Sequence, residues 1–141
     1  MLVDANILLF AIDADSIFHK RAESWLTGQL NGDRRVGMPW QSLGAFLRIS
    51  THPRASANPL SPQEAWEKVK VWLGSDTVWI PSPTRRYAGI LGSLIERYQL
   101  RGNLVSDAQL AALAIEHGLK VISADTDFAR FTEIEWENPL A

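Results

Sequence analysis

Cysteine is absent from all 141 residues of this sequence, which excludes disulfides, thiolate metal centres and cysteine nucleophiles and suits a reducing compartment. Long apolar runs are lacking too, and none approaches the ~20 residues of a membrane-spanning helix. The start has no charged n-region and no small-residue cleavage site, so no signal peptide is expected and the cytoplasm is the expected location. A dominant charge is also missing. Fourteen Lys and Arg stand against 16 Asp and Glu, a net charge of −2. A nucleic-acid partner would therefore be held by local patches and not by a global positive field. The basic pairs Lys20-Arg21, Arg34-Arg35 and Arg85-Arg86 are candidates for such patches. Repeats, low-complexity tracts and long linkers are absent as well, so residues 1–141 are expected to form one domain.

What is present is a globular composition, 46% hydrophobic and 21% charged, in short apolar segments separated by helical periodicity. "MLV" reads as a buried strand from which "NILLFAI" leads away. "SIFHKRAESWLTGQL" carries apolar residues at helical spacing, with Ser16 as its expected N-cap. "RVGMPW" is a second strand. "QSLGAFLRIS" is helical and ends near Pro53. "SPQEAWEKVKVWL" has Ser61 at the N-cap, Pro62 in the first helical position and Glu64 two residues later, with Gly74 after its end. "TVWIP" is a third strand, "TRRYAGILGSLIERY" a helix and "LRGNLV" a loop. "SDAQLAALAIEHG" is a helix stopped at Gly118, "KVIS" a fourth strand and "EIEW" a possible fifth. Short apolar strands alternating with helices predict an α/β fold with a mainly parallel sheet of four to five strands.

In such sheets ligands bind at the carboxyl ends of the strands. Asp4 ends the first strand, Asp125 in "VISADTDF" follows the fourth, and Asp107 opens the helix that leads into the fourth. The three acids are thereby expected on one rim. Asp4 has no evident capping role. Asp107 has the alternative of capping its own helix with Ser106 and Gln109, and Asp125 that of capping the turn "ADTDF". Carboxylates that converge repel one another unless they share a proton or a cation. A hard ion such as Mg2+ or Mn2+ suits all-oxygen ligation and would support phosphodiester hydrolysis. His19, His52 and His117 have no spacing that suggests a catalytic pair. Most of the six tryptophans fall at core-like spacings and predict no base-stacking platform.

"LVDANILLFA", "NLVSDAQLAALAIEHG" and "VISADTDFARF" together resemble a PIN-domain ribonuclease of the VapC toxin type, over nearly the whole chain. The resemblance implies a three-layer α/β/α domain, an acidic pocket for Mg2+ or Mn2+, and endonucleolytic cleavage of RNA. It also implies a homodimer and inhibition by a cognate VapB-type antitoxin. Asp4, Asp107 and Asp125 match acids of the family's catalytic and metal-binding set, and Asn6 and Asp127 match auxiliary positions. One acid is missing: Ala45 stands where the family usually has glutamate, and no Asp or Glu occurs from Arg34 to Gln63. A single-ion site is therefore expected, with Gln41 a candidate partner for a metal-bound water and Arg48 expected near the pocket edge. The competing reading is a module with weak or no catalysis that binds RNA or a protein. A phosphatase with Asp4 as nucleophile is disfavoured because position 6 is Asn6 and not a second aspartate.

Overall fold

The computed structural model describes every residue from Met1 to Ala141. Five strands form one sheet in the order β3-β2-β1-β4-β5, all parallel. They are β1 (Leu2–Val3), β2 (Val36–Gly37), β3 (Val78–Trp79), β4 (Val121–Ile122) and β5 (Trp136–Glu137). Each is two residues long and the inner ones are buried on both faces. Val3 and Ile122 join an apolar cluster on one face, whereas Leu2 and Val121 join the cluster on the other. Alternation of side chains along a strand makes that division.

The first cluster packs α1 (Ala5–Ile12), α2 (His19–Leu30), α3 (Trp40–Ser50) and α4 (Pro62–Leu73) against the sheet. The second packs α5 (Tyr87–Tyr98), α6 (Leu104–His117) and a short 3-10 helix (Thr126–Arg130) on the opposite face. The result is the expected α/β/α sandwich, and the segment around "EIEW" supplies the fifth strand. The chain builds β1, β2 and β3 outward in one direction, then returns to place β4 on the other side of β1. The order therefore reverses between β1 and β4, which is where an open α/β sheet forms a crevice at its carboxyl edge.

Local chemistry sets most helix ends. Ser61 and Glu64 form a reciprocal capping box, with hydrogen bonds of 3.1 and 3.0 Å, and Pro62 takes the first helical position. Gly118 ends α6 in the left-handed conformation at φ 65°. Gly37 is required for a different reason: a Cβ there would lie 2.8 Å from the Met1 carbonyl oxygen and 2.9 Å from the Pro81 ring.

Several expectations are corrected. Ser16 does not cap α2, which begins at His19. Its hydroxyl instead accepts the Phe18 N–H in the preceding turn, at 3.1 Å. Asp4 does cap a helix, accepting the Ala5 N–H at 2.7 Å. Helix α6 starts at Leu104, inside the expected loop, so Asp107 sits within the first turn and does not open it, and no side chain caps that end. Residues 84–86 are not helical, because both carboxylate oxygens of Glu116 hold the Thr84 N–H in a turn at 3.2 Å. Among the tryptophans, Trp40 and Trp66 are 49% and 45% exposed and lie outside the core.

Candidate active site

The end of β1 places Asp4 beside the end of β4, and the Asp4 N–H donates to the Ile122 carbonyl at 2.9 Å. The Asp4 carboxylate is deeply set and each oxygen has a donor. Ala5 N–H serves Oδ1, while the Ser123 hydroxyl donates to Oδ2 at 2.7 Å and the Asn6 amide reaches it at 3.4 Å. Burial pushes the Asp4 carboxyl above its usual range. The Ser123 and Ala5 hydrogen bonds oppose that rise, and the charge of Asp125 adds to it.

Ser123 is fully buried and connects this network. Its Oγ accepts the Asn6 amide at 3.0 Å and the Asp125 N–H at 3.0 Å while it donates to Asp4. The Asn6 amide oxygen accepts the Ala124 N–H at 3.2 Å. The loop after β4 is thereby fastened to the loop after β1. Ser123 was not among the residues singled out in the sequence. Its one local signal is a small polar residue directly after an apolar strand, on the rim that Asp4 also occupies.

Asp125 accepts the Asp127 N–H at 2.9 Å and caps the 3-10 helix, so the turn-capping alternative is realised. That turn also aims carboxylates inward. Asp107, Asp125 and Asp127 each present an oxygen, and these oxygens lie within 4.8 Å of one another. Asp4 lies outside this tight triple but lines the same cleft as Asp107. Asp127 is partly engaged by Arg130, whose Nη2 stands 3.4 Å from Oδ1. Asp107 feels the whole group: burial first, then the charges of Asp125, Asp4 and Asp127, raise its pKa to about 7, with Arg130 opposing. Such a site is short of positive charge. Its donors are all oxygen, which suits a hard divalent cation, and the three histidines play no part in it.

Helix α3 forms the facing wall. Ala45 lines the cleft of about 380 Å³ opposite Asp4 and Asp107, so the position at which a fourth acid is expected does face the site. Arg48, one turn on, also lines the cleft, and no carboxylate lies within 4.0 Å of it. Gln41 closes one end by donating its amide to the Ser106 carbonyl at 2.8 Å, which ties α3 to α6.

The sequence matches the PIN domain family over residues 1–134. It is 41% identical over 140 residues to Ribonuclease VapC37 of Mycobacterium tuberculosis, covering 99% of this chain and 97% of that protein. Ribonuclease VapC33 of the same organism is 36% identical over 140 residues, with 99% and 98% covered. Among solved structures, VapC20 of Mycobacterium tuberculosis, described as a Sarcin-Ricin loop cleaving toxin, superposes with a TM-score of 0.69 at 18% identity, over 95% of this chain and 98% of that one. VapBC2 from Rickettsia felis, bound to a DNA fragment from its promoter, gives a TM-score of 0.69 at 16% identity, over 97% and 96%. At such identities the structural likeness speaks for the fold alone. No helix of the chain is long and apolar enough to cross a membrane.

Proposed function

This chain belongs to the PIN-domain family, and on that premise we propose that it is a divalent-metal-dependent endoribonuclease, the toxin of a toxin–antitoxin pair. The observation that carries the reading is the convergence of carboxylates at the β1/β4 crevice. Oxygens of Asp107, Asp125 and Asp127 approach within 4.8 Å, and Asp4 lines the same cleft as Asp107. Asp4, Asp107 and Asp125 would hold one Mg2+ or Mn2+ ion directly or through water, and Asn6 and Asp127 would support them. When bound, such an ion supplies a more acidic water and charge stabilisation at a phosphate.

The chain's own residues do the rest. Ser123 and Asn6 keep the Asp4 carboxylate facing the cleft. Arg48, free of acid partners, pairs with the RNA phosphate that enters beside Ala45. No side chain is needed as a separate base. The partners proposed with this activity are an RNA substrate and a cognate VapB-type antitoxin, the latter because several structural neighbours are VapBC complexes. A homodimer built from single-domain protomers, in the cytoplasm, completes the proposal.

Ala45 favours one second reading, a domain that binds RNA or protein with little or no turnover. Inducing the wild-type chain and its Asp4→Asn variant separately in a bacterial host distinguishes them. Growth arrest with RNA fragmentation by the wild type alone is the expected result. Cation binding without fragmentation would favour the second reading, and undiminished cleavage by Asp4→Asn would remove Asp4 from the site.

A further inference from the structure

A second pocket, of about 240 Å³, adjoins the acidic cleft and shares Trp40, Gln41 and Gln109 with it. Its remaining wall is apolar and stiff, and includes Pro39, Pro81, Pro83 and Tyr87. The wall is anchored from behind. His117 Nε2 bonds the Ser82 carbonyl at 2.8 Å, and Glu116 holds the Thr84 N–H at 3.2 Å and also accepts the Thr84 hydroxyl. Pro81 also seats against the bare Cα of Gly37. The pocket is therefore preformed, and filling it costs little ordering.

Its chemistry is specific. The Trp40 indole is 49% exposed, unusual for so large an apolar ring. The side-chain amide of Gln109 makes no hydrogen bond within the chain, and that of Gln41 uses only its N–H on Ser106. The volume is below the roughly 300–1,000 Å³ of drug-sized sites, so it suits one planar ring system. Arg85, between the lining residues Pro83 and Tyr87, is exposed and has no acid within 4.0 Å, whereas Arg86 lines a different pocket. A flat face, amide groups free at its edge and, on the ribonuclease reading, a phosphate-processing cleft next door together describe a nucleotide.

We propose that this pocket is a base subsite: it takes an unpaired nucleobase adjoining the phosphate to be cleaved, stacked on Trp40 and read along its edge by Gln109 and Gln41. The inference rests on the ribonuclease reading for the identity of the cleft. It selects single-stranded RNA or a loop whose base can leave its stack, because a paired base cannot enter.

The test uses the full chain and a short single-stranded oligoribonucleotide carrying 2-aminopurine, whose emission falls on stacking. In EDTA the wild type is expected to quench the probe. Trp40→Ala should weaken binding by roughly 10- to 100-fold, as loss of base–aromatic stacking does, and Trp40→Phe should recover most of it. With Mn2+ added, Trp40→Ala should raise KM far more than it lowers kcat, and Gln109→Ala should relax the nucleotide preference beside the cut. Absence of quenching by the wild type, or equal binding by Trp40→Ala, overturns the subsite. So does a change in sedimentation of Trp40→Ala, which would make Trp40 a subunit contact. Quenching by the wild type with no cleavage under any metal leaves the subsite standing and removes the nuclease reading. Cleavage by the wild type with an unchanged KM for Trp40→Ala does the opposite.

Discussion

Ser123 carries more of the site than its size suggests. One hydroxyl donates to Asp4 and accepts from both Asn6 and Asp125, so Ser123→Ala leaves the Asp125 N–H without a partner and Asp4 Oδ2 with only the longer Asn6 contact. An unsatisfied buried partner costs about 1–3 kcal/mol. The variant is expected to lose stability in that range in urea titration and to lose cleavage activity by roughly tenfold or more, because Asp4 loses its shortest side-chain contact. Asp107 is expected to set the pH response of the cation-free protein. Its folded-state pKa is raised to about 7 from an ordinary 3.8, so between those values the folded chain holds a proton that the unfolded chain has released. Stability then falls as pH rises through that window and levels off above it. Asp4, raised by burial, acts in the same direction. Thermal midpoints in EDTA across pH 4–8 should show this decline. Asp107→Asn should flatten it and melt higher than the wild type at pH 8, and an unchanged slope would show that Asp107 is not the group responsible.

At the scale of elements, Asp4 has two separable duties. It caps α1 and it supplies charge to the cleft. Asparagine is as good an N-cap as aspartate, whereas alanine is not, a difference of about 0.5–2 kcal/mol. Asp4→Asn and Asp4→Ala are therefore expected to be equally inactive while only the alanine variant pays for the lost cap, as chemical denaturation would reveal. The sequence signals that could be read directly were those whose partners lie within one turn, such as Ser61 with Glu64, or Gly118 at a helix end. The cap at Asp4 was hidden because α1, "ANILLFAI", is apolar nearly throughout and shows no amphipathic period from which to locate its start. The start of α6 was misplaced for a related reason: Asn103 is its boundary residue but makes no side-chain cap, so no local signal marks Leu104.

For the whole molecule, parallel connectivity does the assembling. Ser123 and Asp4 are 119 residues apart in sequence, yet the return of β4 to the side of β1 makes them neighbours. The rim itself could be anticipated, since strand ends and one helix N-terminus share the carboxyl edge. Asp127, two residues after Asp125, was open to the same reading as a ligand, whereas the central place of Ser123 and the exposure of Trp40 were not, because each depends on contacts between distant segments. A cation that binds only the folded chain should stabilise it as a whole, by about 2.7 kcal/mol at a hundredfold excess over Kd. Mn2+ is accordingly expected to raise the melting temperature of the wild type, more at pH 8 than at pH 6 because protons compete for the same carboxylates. Asp107→Asn should blunt that response.

The most direct measurement is cleavage of total bacterial RNA by the purified wild-type chain and by Asp107→Asn of verified fold, each with Mn2+ or with EDTA, read by sequencing the new RNA ends. Discrete ends produced only by the wild type with the cation are the expected result. Discrete ends that persist in EDTA, or that Asp107→Asn generates at an undiminished rate, would contradict an acidic cation site as the seat of catalysis.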